Sequence, residues 1–371
     1  MLTRFEVENF KGFNERFIFD LDKAKSFEFN QDCTKGSIVA KGLIYGKNGI
    51  GKSNLGHALF DLISHTTDNK TASELYQSYY LNADHGGLIA QFKFVFNFNG
   101  NQVTYEYGKF SYNQIAYEHL SVNGRVVASL DRQTSKNAYI NLPGAESLKT
   151  NLGESNVSLI AYIKNNALID IIDAGKAFVD FVNFLKGMLY FRSVNYNMYQ
   201  GIDIGSDTLE KRIINSSKLM EFQQLLNAAG VHCSLEAMEI NGQQTIGMRH
   251  RHNLIPFNKV ASSGSRSLML VYYWMLVLYE RPEATFVFID EFDAYYHFEL
   301  SKLILSHIKR LPQQVLLTTH NTQLMSNEVM RPDCCFEMQA GRIDPLMNKT
   351  SKELRQAHNI EKMYRAGSFN V

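Results

Sequence analysis

Residues 46–53, GKNGIGKS, constrain the fold more than any other stretch, because they satisfy the G-x-x-x-x-G-K-[ST] phosphate-binding pattern in its proper setting. Before them runs Ile38-Val-Ala-Lys-Gly-Leu-Ile-Tyr45, a β-branched apolar segment suited to a buried strand. After them Asn54-Leu-Gly-His-Ala-Leu-Phe-Asp-Leu-Ile63 has helical spacing. In strand, glycine loop and helix, backbone N–H groups converge on phosphate oxygens at the positive end of the helix. The pattern predicts that Gly46, Lys47, Asn48, Gly49, Ile50, Gly51, Lys52, Ser53 and Asn54 hold a nucleotide, with Lys52 on the β- and γ-phosphates and Ser53 on Mg²⁺. The competing reading is a glycine-rich structural turn.

A chain of 371 residues with 45% hydrophobic and 20% charged residues can bury one large core or two. Its formal net charge of +1 offers no field to draw in nucleic acid, so DNA contact is not signalled. Arg249-His-Arg-His252 is a local basic run, read as a solvated face before a polyanion contact. Cys33, Cys233, Cys334 and Cys335 lack metal-site spacing and disulfide density, as expected of reduced thiols in a cytoplasmic protein. The N-terminus carries Arg4, Glu6 and Glu8 where a secretory signal needs an apolar run. Leu268–Tyr279 is too short to span a bilayer and reads as a buried helix, so no membrane partner is expected.

Residues 2–9 and 15–21 alternate around Lys11-Gly12 and predict a hairpin. From 88 to 130 the alternation continues, with Asn99-Gly100 marking a second hairpin between Gln91–Phe98 and Val103–Tyr107. Between 156 and 230 the period becomes helical, in Ile171–Leu185 and Leu209–Phe222. Strand Thr285–Ile289, helix Leu300–Leu311 and strand Val315–Thr319 follow. The expected fold is α/β: a nucleotide-binding head with a β-rich N-terminal lobe, a short helical insertion and no long coiled coil. Its expected parts are 1–150, carrying the β lobe and P-loop; the insertion 151–233; 234–345, returning to the nucleotide domain; and a tail, 346–371.

Phe286-Val-Phe-Ile-Asp290-Glu291 is a buried strand closing on two carboxylates, of which Asp290 can hold the Mg²⁺ shell and Glu291 can polarise water. His320 follows the next strand, either as a γ-phosphate sensor or as a cap on the helix beginning near Asn321. Ser262-Ser-Gly-Ser-Arg-Ser267 stands before the apolar helix, either as an anion-binding turn or as a plain serine cap.

The order of P-loop, helical insertion, serine-glycine turn, Asp-Glu strand and histidine resembles the ATP-binding-cassette ATPases across nearly the whole length. Phe5-Glu-Val-Glu-Asn-Phe-Lys-Gly-Phe13 looks like the opening of SMC and RecF-type proteins. Ile289–His297, Thr318-Thr-His-Asn-Thr322 and Lys352–Phe369 look more like the compact ABC-type AAA ATPases of bacterial abortive-infection and anti-phage systems. These include OLD-family relatives and ATPases of the AbiL, RloA and PARIS type.

That resemblance implies a cytoplasmic ATPase that binds ATP and Mg²⁺, dimerises head to tail and controls an effector encoded nearby, often a nuclease or toxin. Carried over, Lys52, Glu291 and His320 are catalytic, Ser53 and Asp290 hold metal, and Ser263 and Gly264 meet the γ-phosphate of the opposite subunit. Asp293 resembles the loop that crosses the dimer interface. Ser265 and Arg266 depart from the usual signature, and Gln91 and Gln114 are candidates for the Q-loop glutamine. No TOPRIM nuclease fits in the residues after Pro345. The tail, with Leu354, Ile360 and Met363, docks on its own domain or on a partner. Two other functions fit the motifs: a RecF- or SMC-like clamp on DNA, and an antitoxin-like scaffold that keeps ATP as a structural ligand.

Overall fold

The computed structural model describes residues 1–69, 77–193, 199–202 and 207–369. Its centre is a seven-stranded sheet in the order Tyr199–Gly201, Met188–Arg192, Phe286–Asp290, Gln314–Thr319, Lys41–Tyr45, Cys335–Gln339, Arg342–Pro345. The five inner strands run parallel, and the two outer ones are antiparallel. Phe286–Asp290 and Gln314–Thr319 are buried along their whole length, which explains their near-continuous apolar runs: a parallel sheet is covered on both faces. Every parallel strand therefore delivers its carboxyl end to the same edge, where ligands of such sheets bind.

Helix Lys52–Phe60 lies over this sheet, and Gly56 allows the contact. A Cβ there would come 2.7 Å from the Tyr190 ring and 2.8 Å from that of Phe288. Helix Ser263–Glu280 buries thirteen side chains from Ser265 to Leu278. No helix of the described residues is long and apolar enough to cross a membrane, and none exceeds those 18 residues, so no long coiled coil is present among them.

A second seven-stranded sheet is antiparallel throughout and forms the N-terminal lobe. Both expected hairpins are present, Leu2–Glu8 with Phe17–Asp20 and Ala90–Phe98 with Asn101–Ser111. The turn between the latter pair has Asn99 at φ 51° and Gly100 at φ 92°, the left-handed pair that a two-residue loop needs. The buried Gln314 amide fastens lobe to core: its Oε1 accepts from Leu2 N at 2.9 Å and its Nε2 donates to Leu2 O at 2.9 Å.

Three expectations need correction. The strand read as Ile38–Tyr45 breaks at Ala40 into Ile38–Val39, which pairs with Thr34–Lys35, and Lys41–Tyr45, which enters the core. The segment Leu209–Phe222 is two helices, Leu209–Asn215 and Leu219–Ala228, separated where Ser217 turns to φ 57°. The stretch 151–233, read as a helical insertion, also contains Met188–Arg192 and Tyr199–Gly201, which pair into the central sheet. Residues 194–198 and 203–206 of that stretch lie outside the described residues.

The tail folds onto its own chain. Leu354, Ile360 and Phe369 are buried and Met363 packs on the core. Tyr364 meets the Tyr45 ring edge-on at 5.5 Å between centroids.

Candidate functional site

An open cleft of about 370 Å³ at the carboxyl edge of the central sheet is lined by Asn48, Gly49, Gly51, Lys52, Ser53, Asn54, Glu291 and His320. Three strands supply it: Lys41–Tyr45 leads into the loop, Phe286–Asp290 brings the acids, and Gln314–Thr319 lies between them and ends at His320. In the loop, Gly49 at φ 77° and Gly51 at φ 105° take conformations that an L side chain rarely adopts. Gly46 has no room for a side chain, since its Cβ would stand 2.8 Å from Ile50 Cγ2. Ile50 packs behind the loop, and Lys47 is exposed.

Lys52 is buried, with Nζ donating to Gly46 O at 2.6 Å and Lys47 O at 3.2 Å. Its Nζ also stands 3.2 Å from His320 Nδ1. Burial lowers the Lys52 pKa while Asp290 and Glu291 pull it back up. With the ammonium charged, Nδ1 of His320 is the acceptor, so the ring proton sits on Nε2, which faces Glu291 Oε1 at 3.9 Å. Burial, then the neighbouring Lys52, lowers the His320 pKa, which favours this neutral form.

Asp290 is fully buried, and its carboxylate accepts three hydrogen bonds. Ser53 Oγ donates to Oδ2 at 2.7 Å, Thr318 Oγ1 to Oδ1 at 2.7 Å and Tyr190 Oη to Oδ2 at 3.4 Å. The Thr318 hydroxyl also accepts from Glu291 N at 2.8 Å, so one side chain of the middle strand ties both acids. Glu291 has φ 52°, uncommon for a residue with a side chain and held only where its surroundings over-determine it. Its carboxylate pairs with Arg192 at 2.9 Å, and its carbonyl accepts from Ser193 Oγ.

Other residues singled out in the sequence lie elsewhere. Ser263 is exposed and Gly264 half-buried at the N-terminal end of helix Ser263–Glu280, outside the cleft lining; Ser262 caps that helix by accepting from Ser265 N at 3.1 Å. Asp293, expected in a loop crossing a dimer interface, is buried within its own chain and accepts from Thr319 Oγ1 at 2.6 Å. Burial pushes its pKa up to about 6. Gln91 and Gln114 belong to the N-terminal sheet and do not line the cleft. Sequence reasoning missed Tyr190, Arg192, Ser193 and Thr318.

The strand order and the cleft define an α/β P-loop fold with a candidate nucleotide-binding cleft at the carboxyl edge of its parallel sheet. Residues 203–326, about a third of the chain, match the family described as "AAA domain, putative AbiEii toxin, Type IV TA system". That stretch holds Ser263, Gly264, Asp290, Glu291 and His320, and the P-loop precedes it. The chain is also similar to the SMC head bound to the C-winged helix domain of ScpA, at 14% identity and a TM-score of 0.48, with 92% of this chain and 96% of that one covered. It is similar to the SMC head domain from Thermotoga maritima, at 15% identity and a TM-score of 0.42, covering 92% and 97%. For the recombination mediator RecF-ATPrS of the RecFOR pathway the identity is 12% and the TM-score 0.43, covering 93% and 98%. No curated protein matches the chain.

Proposed function

We propose that this protein is a magnesium-dependent ATPase working as a nucleotide-gated dimeric clamp, which controls a partner effector in bacterial anti-phage defence. The observation that carries the ATPase reading is the convergence of Lys52, Ser53, Asp290, Glu291 and His320, from separate parts of the chain, on one cleft edge. The residues fit Mg-ATP. The loop offers a glycine-lined cradle with a buried ammonium, and Ser53 and Asp290 place two oxygen donors side by side, the ligand type magnesium prefers. Magnesium bound there neutralises phosphate charge.

Within the chain, the loop N–H groups and Lys52 hold the phosphates, Glu291 accepts a proton from the attacking water, and His320 contacts the γ-phosphate from the neighbouring strand. Exposed Ser263 and half-buried Gly264, at a helix start outside the lining of this cleft, supply the other half of the site from a second copy, so ATP occupancy and closure form one linked equilibrium. The match of residues 203–326 to a family named for a toxin of a toxin–antitoxin system supports defence as the setting.

The clamp is tested by light scattering of the Glu291→Gln protein with and without Mg-ATP. A dimer that appears with ATP and is lost in the added Gly264→Arg variant is expected. A monomer indifferent to saturating ATP contradicts it.

A further inference from the structure

The corner Arg192-Ser193, at the carboxyl end of strand Met188–Arg192, contacts both the side chain and the backbone carbonyl of Glu291. The strand runs parallel to the acidic strand, with Arg192 level with Asp290. From that position the Arg192 guanidinium reaches Glu291 Oε2 at 2.9 Å, and its Nε lies 3.6 Å from Asp290 Oδ2. Ser193 N donates to Asp290 O at 3.2 Å, and Ser193 Oγ donates to the carbonyl of Glu291. Ser193 is itself buried, and its carbonyl accepts from Ser267 Oγ at 2.9 Å. Ser267 lies one turn into the helix that begins with Ser263 and Gly264, and its hydroxyl also meets Tyr296 Oη at 2.8 Å.

These contacts divide into two tasks. A left-handed backbone is uncommon at a glutamate and persists only where its surroundings hold it. Thr318 holds its N–H from one side and Ser193 its carbonyl from the other. The side chain, free to rotate in an open cleft, is held by a planar guanidinium that keeps its shape and charge. A lysine in this position offers charge without the fork.

We propose that the Arg192-Ser193 corner is a positioning element for Glu291, fastened by Ser267 to the helix that carries Ser263 and Gly264. This rests on the reading of Glu291 as the water-activating group. The corner binds neither phosphate nor metal; it aims the carboxylate and ties its orientation to the helix that meets the second copy's nucleotide.

Steady-state phosphate release and ATP affinity are measured on wild type, Arg192→Ala, Arg192→Lys and Ser267→Ala. Misplacing a reacting group by about 1 Å costs about 100-fold, so Arg192→Ala is expected to lower kcat by about 10- to 100-fold with ATP affinity unchanged. Arg192→Lys retains more turnover than Arg192→Ala, guanidinium ion below denaturing concentration restores part of the loss, and Ser267→Ala lowers kcat less than either. Unchanged or raised turnover in Arg192→Ala, or a fall in step with ATP affinity, overturns the proposal while leaving the ATPase reading intact. A wild type that binds Mg-ATP without releasing phosphate overturns the hydrolase reading, and with it this role.

Discussion

The two walls of the cleft are built on opposite plans. The P-loop wall is contiguous: residues 46–54 fold back on themselves, and Lys52 is satisfied by carbonyls five and six residues away. The acidic wall is assembled. Asp290 and Glu291 are held by Ser53, Tyr190, Arg192, Ser193 and Thr318, which reach them from 27 to 237 residues away. A contiguous wall is specified by its local sequence, whereas an assembled wall exists only after the sheet has closed. Damage to the first is therefore expected to strike nucleotide binding, and damage to the second to strike turnover with binding kept.

The largest effect is expected from Lys52→Ala, which removes the buried ammonium. ATP affinity and turnover fall together, turnover by about 100-fold or more, as read by isothermal titration and phosphate release. If binding survives, the contiguous wall is not the binding wall. Glu291→Gln comes next, lowering kcat by about 10²–10⁴-fold while ATP binds as before. Equal loss of both would erase the distinction between the walls.

Thr318→Val should cost turnover about tenfold and stability about 1–3 kcal/mol in urea unfolding, because it leaves two buried partners unpaired. Asp293→Asn gives the smallest change. The folded pKa of about 6 lies above the ordinary carboxylate value, so the native state favours the protonated acid, and that favour is lost as pH rises through 6. The variant is expected to be stabilised by about 1 kcal/mol more at pH 8 than at pH 5, measured by chemical denaturation at both. A pH-independent difference would show that the buried acid does not titrate in this way.

The same contrast explains what could be read from the sequence. The P-loop, its helix and both hairpins were legible because each is specified locally by periodicity or by a turn dipeptide, whereas the break at Ala40 in the preceding strand was not. Phe286–Glu291 and His320 were legible as pieces, since an apolar run closing on charge or histidine is a local signal.

Arg192 was missed although Met188-Leu-Tyr-Phe-Arg192 has the same form, an apolar run closing on a charge. It follows directly on a strong amphipathic helix, Asp173–Lys186, and its strand partner comes nearly 100 residues later. Period alone does not separate so short an apolar run from the end of a helix. Gln91 and Gln114 match the Q-loop by residue type alone, whereas the alternation over 88–130 and the Asn99-Gly100 turn point to the β lobe, where both lie.

The direct test of the assembled cleft is phosphate release and ATP binding measured on the same samples of wild type and Glu291→Gln in Mg-ATP. The account predicts turnover in the wild type, near-loss of it in the variant, and equal ATP affinity in both. ATP bound by neither, or phosphate released equally by both, would contradict the claim that these strands meet to form a hydrolytic site.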